Sequence, residues 1–190
     1  MLNKKNIEKH IKALLKEFDP NPDRPGLVET PKRVAKYWCE LLEGAQYSNE
    51  DIAKMFDKCF EDAPTGGLVI EKNIPIFSHC EHHLALMYDC YVSIAYIPND
   101  RVIGLSKMAR IAEMVGKRLQ LQERICSDIC EVMKMIVKTD NVAVIITGKH
   151  GCMTARGVKS RESVTESACL SGAFKENAAL RAELYSRLRQ

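Results

Sequence analysis

Two short windows rich in metal donors, far apart in sequence, limit how this chain can fold more than anything else in it. Ser78-His79-Cys80-Glu81-His82-His83 places one thiol and three imidazoles in consecutive residues, and His150-Gly151-Cys152 adds another of each. Of the five histidines only His10 lies outside these windows. Thiolate and imidazole are the donors that zinc, a borderline-soft divalent ion, binds tetrahedrally. The Cys80-x-x-His83 spacing lets a tight turn aim both side chains at one point. The two-residue alternation of a strand would keep His150 and Cys152 on one face. A fold that brings the windows together can close both on one metal.

Four protein ligands would make a sealed structural site. Three would leave a position for water, whose pKa zinc lowers to about 7. Spacing alone fits both. The donor count favours the open site, because His79, Cys80, His82, His83, His150 and Cys152 outnumber the places of a tetrahedron. A surplus imidazole titrates near neutral pH and suits acid–base work.

A chain of 190 residues, 46% hydrophobic and 28% charged, fits one domain with an extension and can bury a real core. A net charge of +3 does not announce a nucleic-acid surface, although local basic clusters suit a small anion. Met1-Leu2-Asn3-Lys4-Lys5 lacks the apolar core of a signal peptide and no apolar run reaches membrane-spanning length, so the expectation is a cytoplasmic protein without a membrane partner. In that compartment the eight cysteines read as thiols and not as a disulfide framework. Cys126 and Cys130, one helical turn apart with no further donor near them in sequence, read as core residues.

Helical spacing of Ile7, Ile11, Leu14, Leu15 and Phe18 predicts a first amphipathic helix ending at Asp19-Pro20, with His10 on its exposed side. A proline-rich connector follows. Thr30 as N-cap and Pro31 at the first helical position open a second helix, which runs to Leu42 and stops at Gly44. Ser48 caps a third. At Thr65-Gly66-Gly67 the pattern turns from helical to extended, dividing an N-terminal helical region (1–64) from a second region (65–190). Two strands are expected through Leu68–Phe77 and Leu84–Ile97. A helix capped by Ser106 and a longer one carrying Ile125 to Ile136 follow. Strands through Val142–Thr147 and Ser163–Leu170 come next, then a closing helix with Leu180, Leu184 and Leu188. The class is α+β, with two helices between two strand pairs.

The motifs Cys80-Glu81-His82-His83, Gly104-Leu105-Ser106-Lys107, Gln122-Glu123-Arg124, His150-x-Cys152 and Ala155-Arg156-Gly157 resemble, in order, those of the GTP cyclohydrolase I family. Thr30-Pro31-Lys32-Arg33-Val34-Ala35-Lys36 resembles its helical part, so the likeness runs from about Glu29 to Phe174. It implies a tunnelling-type fold, a β-β-α-α-β-β unit whose antiparallel sheet joins others into an intersubunit barrel, with an N-terminal helical extension. It also implies a homo-oligomer, a toroidal decamer, with active sites between subunits. The implied reaction turns GTP into 7,8-dihydroneopterin triphosphate and formate, at the entry to folate or pterin biosynthesis.

By the same resemblance Cys80, His83 and Cys152 hold Zn2+, and zinc-activated water attacks C8 of guanine. His150 protonates the imidazole ring, His82 serves proton traffic at the ribose oxygen, and Ser106 assists the later Amadori-type shift. Glu123 receives the guanine edge with Gln122 as its neighbour. Lys107, Arg110 and Arg156 clamp the triphosphate, with Arg33 and Lys36 contributing from another subunit; the planar guanidinium fork suits phosphate oxygens. Without the family pattern these would read as a solvated helix start, first-turn residues and a structural ion pair.

Three positions depart from the family pattern. His79 stands where a non-ligating residue is expected, and would compete for metal or face solvent. Leu119 replaces a common proline at the approach to the next helix, and no tight Asp-Gly turn is evident around Met87–Cys90. Rival readings are a pterin synthase or nitrile-reducing relative of the same fold, against which the Cys/His/Cys set argues, and a non-catalytic oligomer around a sealed zinc.

Overall fold

The computed structural model describes residues 2–61 and 66–189; Thr65 and the expected division at 64/65 lie outside them. The N-terminal helix α1 (Lys4–Phe18) is capped by the Asn3 side chain, which accepts from the Asn6 N–H. Helix α2 (Thr30–Leu41) starts one residue earlier than Thr30 as N-cap required. Glu29 already has helical dihedrals and caps without a side-chain bond, because the Thr30 N–H is drawn back to the Leu27 carbonyl. A 3₁₀ turn (Glu43–Gln46) leads to α3 (Asn49–Phe56), where Ser48 forms the expected cap, a reciprocal box with Asp51.

A two-stranded ladder joins β1 (Cys59–Phe60) to β4 (Val102–Ile103). The main sheet holds β2 (Val69–Cys80), β3 (Leu86–Tyr96), β5 (Leu119–Gln120), β6 (Val142–His150) and β7 (Thr165–Leu170). Its order is β5-β2-β3-β6-β7, antiparallel except where β5 runs parallel to β2. Helices α4 (Leu105–Gly116) and α5 (Gln122–Val137) fall between the two strand pairs, as the hydrophobic spacing requires. Short helices α6 (Gly151–Thr154) and α7 (Ala173–Glu176) and the closing α8 (Ala178–Leu188) complete an α+β chain.

Alternation along the strands builds two cores. Val92, Ile94, Val144 and Ile146 pack under Met108, Ile111, Val115, Ile125, Ile129 and Met133 of α4 and α5, with Ile52 and Phe56 of α3 in the same cluster. The opposite face contributes Ala95, Ala143 and Ile145, covered by Phe174 and Leu184. All eight cysteines are free thiols.

The places of Ser106 and His79 correct the sequence reading, and two further positions gain a definite structure. Ser106 does not cap α4: Gly104 does, with its N–H tied to the Lys58 carbonyl, and Ser106 is an exposed residue of the first turn. Leu119, at the approach to α5, lies in β5. Asp89 takes a left-handed φ of 48° without a following glycine, and the β3–β6 register shifts there, so a bulge replaces the missing turn. His79 neither faces solvent nor joins the donor cluster. It is 2% exposed, edge-on to Trp38 with ring centroids 4.9 Å apart, and its Nε2 lies 3.3 Å from the Tyr37 hydroxyl. It thereby fastens α2 to the end of β2.

Gly44 marks a close approach, since a Cβ there would stand 1.9 Å from the Met114 carbonyl oxygen at the end of α4. Gly44→Ala is expected to cost about 1–3 kcal/mol of stability by forcing the 3₁₀ turn off α4, read as a lower denaturation midpoint. A midpoint equal to that of the wild type would refute this packing. His79 supplies a pH prediction. Burial pushes its imidazole below the ordinary 6.5, so on acidification the unfolded chain takes up this proton first and stability falls below about pH 6.5. Between about pH 6.5 and pH 5 the wild type should lose stability more steeply than His79→Phe; parallel curves would contradict a neutral buried ring.

Candidate active site

Strand β3 lies between β2 and β6 and runs against both, so β2 and β6 end side by side at the start of β3. The register makes this concrete: His79 pairs with Leu86, and Met87 with His150. The two donor windows meet because of that topology.

At the end of β2 the Cys80 N–H bonds to the Ala85 carbonyl and the Leu84 N–H to the Cys80 carbonyl, each at 2.9 Å. Leu84 accepts a φ of 51° to close this turn, a conformation that costs a non-glycine residue on the order of 1 kcal/mol. The turn carries His83 Nδ1 to 3.9 Å and His82 Nδ1 to 3.8 Å from Cys80 Sγ. On the other side β6 stops at His150 and α6 starts at once, so Cys152 arrives on a helical turn and not by the strand alternation expected from its spacing. Gly151 permits it, because a Cβ there would lie 3.0 Å from the Leu86 carbonyl oxygen.

The donor atoms of Cys80, His83 and Cys152 all lie within 4.8 Å of one another, the one such group of three or more among the described residues. Two sulfurs and a nitrogen around a tetrahedral zinc stand roughly 3.5–4 Å apart, so the set fits the ion after a small contraction. Burial and the neighbouring Cys80 thiol push the Cys152 thiol up, with Arg156 opposing; a dication would reverse that bias. His82 touches the Cys80 sulfur but is no member of the three-way group.

Around these donors, His150 Nε2 is 2.8 Å from Gln122 Oε1. Burial holds the His150 imidazole below its usual range while the Glu123 carboxylate pulls the other way. Arg156 Nη1 lies 2.9 Å from His83 Nε2. Arg124 pairs with Glu81 at 2.6 Å, tying α5 to the donor turn and holding the Glu81 carboxyl below its ordinary value. Sequence reasoning quoted Arg124 within a motif but gave it no role. It also gave none to Arg118, whose guanidinium reaches Asn49, Asp128 and the Gly44 and Tyr47 carbonyls. The available signal was polar Arg118, Gln120 and Gln122 alternating with Leu119 and Leu121 just before a helix.

Other candidates stay apart from the cluster. Helix α4 opens at the far end of β3, where the Ile103 N–H bonds to the Tyr96 hydroxyl. Ser106, Lys107 and Arg110 are therefore on the order of 20–30 Å from Cys80 along the sheet. Arg33 and Lys36 are exposed on α2, with Arg33 engaged to Glu29 at 2.7 Å.

A profile for GTP cyclohydrolase I matches residues 7–189. The chain belongs to the GTP cyclohydrolase I family. Among its relatives, a Clostridium acetobutylicum protein named GTP cyclohydrolase 1 is 53% identical over 183 residues, 94% of each chain. One from Ruminiclostridium cellulolyticum is 52% identical over 92% of each chain, and one from Clostridium botulinum 55% identical over 90% of this chain and 89% of its own. The family resemblance read from the motifs is thus the family found.

Within this family member, removing one donor of the trio should abolish tight metal binding, because the remaining pair cannot hold the ion against solvent. Cys152→Ala is expected to reduce zinc, measured by elemental analysis after gel filtration, from stoichiometric to residual. Cys169→Ala, away from the trio, should keep it; equal zinc in both variants would refute the cluster.

Proposed function

We propose that this chain converts GTP into 7,8-dihydroneopterin triphosphate and formate, the first step of folate or pterin biosynthesis, with zinc held by Cys80, His83 and Cys152. The observation that carries the reading is the three-donor cluster, which leaves one vertex of a tetrahedron for a non-protein ligand, in a chain that matches the family almost end to end. Zinc bound there supplies Lewis-acid activation of water at neutral pH.

The side chains supply the rest. His150, half-buried at the end of β6, gives a proton to the imidazole ring of guanine and makes C8 electrophilic; His82, on the exposed turn, serves the ribose ring oxygen. Glu123, exposed and close enough to act on His150, accepts from the ring N–H and exocyclic amine of guanine. Arg156 binds triphosphate oxygens. A ring that gives one nitrogen to a metal keeps its proton on the other, so His83 cannot then accept from Arg156, and the guanidinium is released towards phosphate.

Lys107 and Arg110, with Ser106 for the Amadori-type shift, act at the cluster of a neighbouring copy, and Arg33 and Lys36 add to the triphosphate contacts. The distance between α4's first turn and the chain's own cluster favours such sharing. So do, among the described residues, the unpaired outer edge of β7 and the mostly unpaired outer edge of β2, which a second copy would cover. On this reading the sheets close into an intersubunit barrel of the tunnelling type and the assembly is a decamer. No described helix is long and apolar enough to cross a membrane, and the cytoplasm is the compartment that suits free thiols.

Metal-replete protein given GTP should release formate and yield, after oxidation, a fluorescent pterin; absence of both would reject the reading. A chelator should stop the reaction and zinc restore it. His150→Ala should lower kcat by about 10²–10⁴-fold while zinc content is kept.

A further inference from the structure

Gln122 opens α5, yet the residue is only 2% exposed and its side chain points between β6 and β7. Its amide nitrogen donates to the Thr165 carbonyl at 3.0 Å, with the Ile146 carbonyl and the Ser167 hydroxyl each at 3.4 Å. Carbonyl oxygens only accept. Turning the amide round would set its own oxygen against both, so the nitrogen must face the strands and Oε1 must face His150. Oε1 also only accepts, so the hydrogen in the 2.8 Å contact belongs to His150 Nε2. Gly148 keeps the space clear, because a Cβ there would come within 3.3 Å of Gln122 Oε1 and 2.6 Å of Cys90 Sγ.

We propose that Gln122 is a positioning residue that holds the His150 imidazole as the Nε2–H tautomer, leaving Nδ1 as the ring nitrogen that exchanges a proton with the substrate. The proposal rests on the reading of His150 as the group serving the guanine ring. It moves Gln122 from guanine neighbour to orienting group, since both amide hydrogens are already committed to protein acceptors. A neutral amide suits the task. It fixes the ring's rotation and tautomer through one accepted hydrogen without adding a charge that would hold the imidazole as a cation. The proton that travels is carried at Nδ1, while the Nε2 proton stays with Gln122.

The test uses zinc-loaded protein labelled with 15N-histidine, in which ring-nitrogen shifts report the tautomer and a His150→Gln variant assigns the signal. The wild type should show the Nε2–H form. Gln122→Met should lose that preference and lower kcat for GTP by about 10–100-fold, with KM and zinc content near wild type. An Nδ1–H ring in the wild type overturns the proposal, and that spectrum decides even where Gln122→Met does not fold. A Gln122→Met variant that is merely less stable, with wild-type kcat and ring spectrum, overturns it as well. Wild-type protein that shows the Nε2–H ring but does not turn over GTP would instead count against the functional reading.

Discussion

Everything at the candidate site depends on β3 being the strand between β2 and β6. Two strands that both run against a third must finish at the same end of it, and here those ends carry Cys80 and His150. The pairing is held in register by burial, because Ile74, Val92 and Ile146 are 5%, 0% and 0% exposed on the face under α4 and α5. A slip of one residue would turn that face to solvent and carry the donors to the wrong side of the sheet. Apolar packing thus determines where the polar chemistry happens.

The helical layer adds a second level of control through buried polar bonds. Arg118, with a side chain 15% exposed, pairs with Asp128 at 3.0 Å and also binds Asn49 and two backbone carbonyls of the segment before α3. Gln120 donates to the same Asp128 carboxylate from beneath. Networks of this kind contribute less net stability than their bond count implies, since desolvation offsets the attraction, but they allow only one arrangement of the parts. Here they set the start of α5, and with it Gln122, Glu123 and Arg124, against the ends of β2 and β6. His79 does similar service on the other flank, where its buried ring joins α2 to the strand that ends in Cys80.

Strain is concentrated where the donors emerge. Leu84, within the β2–β3 connection, and Asp89, within β3, both adopt left-handed backbone conformations. Neither is a glycine, so each is maintained by its surroundings: two backbone bonds close the donor turn, and β6 pairs with β3 on both sides of the bulge. The turn gains from this a fixed presentation of His82 and His83.

Much of this was legible in the residues. Periodicity located the strand–strand–helix–helix–strand–strand order, because burial of one face leaves a two- or 3.6-residue signature in any short window. Donor chemistry narrowed the metal candidates to six residues in two windows, since few residue types bind a soft dication, and it was the likeness to the family that named Cys80, His83 and Cys152 among them. Local turns were less legible. Ser106 looks like a cap but is displaced by a backbone bond from Gly104 to Lys58, a residue distant in sequence, and Cys152 reaches the cluster by a helical turn where alternation would have served. The burial of His79, the Arg118 network and the service Gln122 gives to His150 were decided by tertiary structure alone. A polar side chain's partner is set by which segments pack beside it, and neither hydropathy nor spacing records a hydrogen bond between residues 28 positions apart.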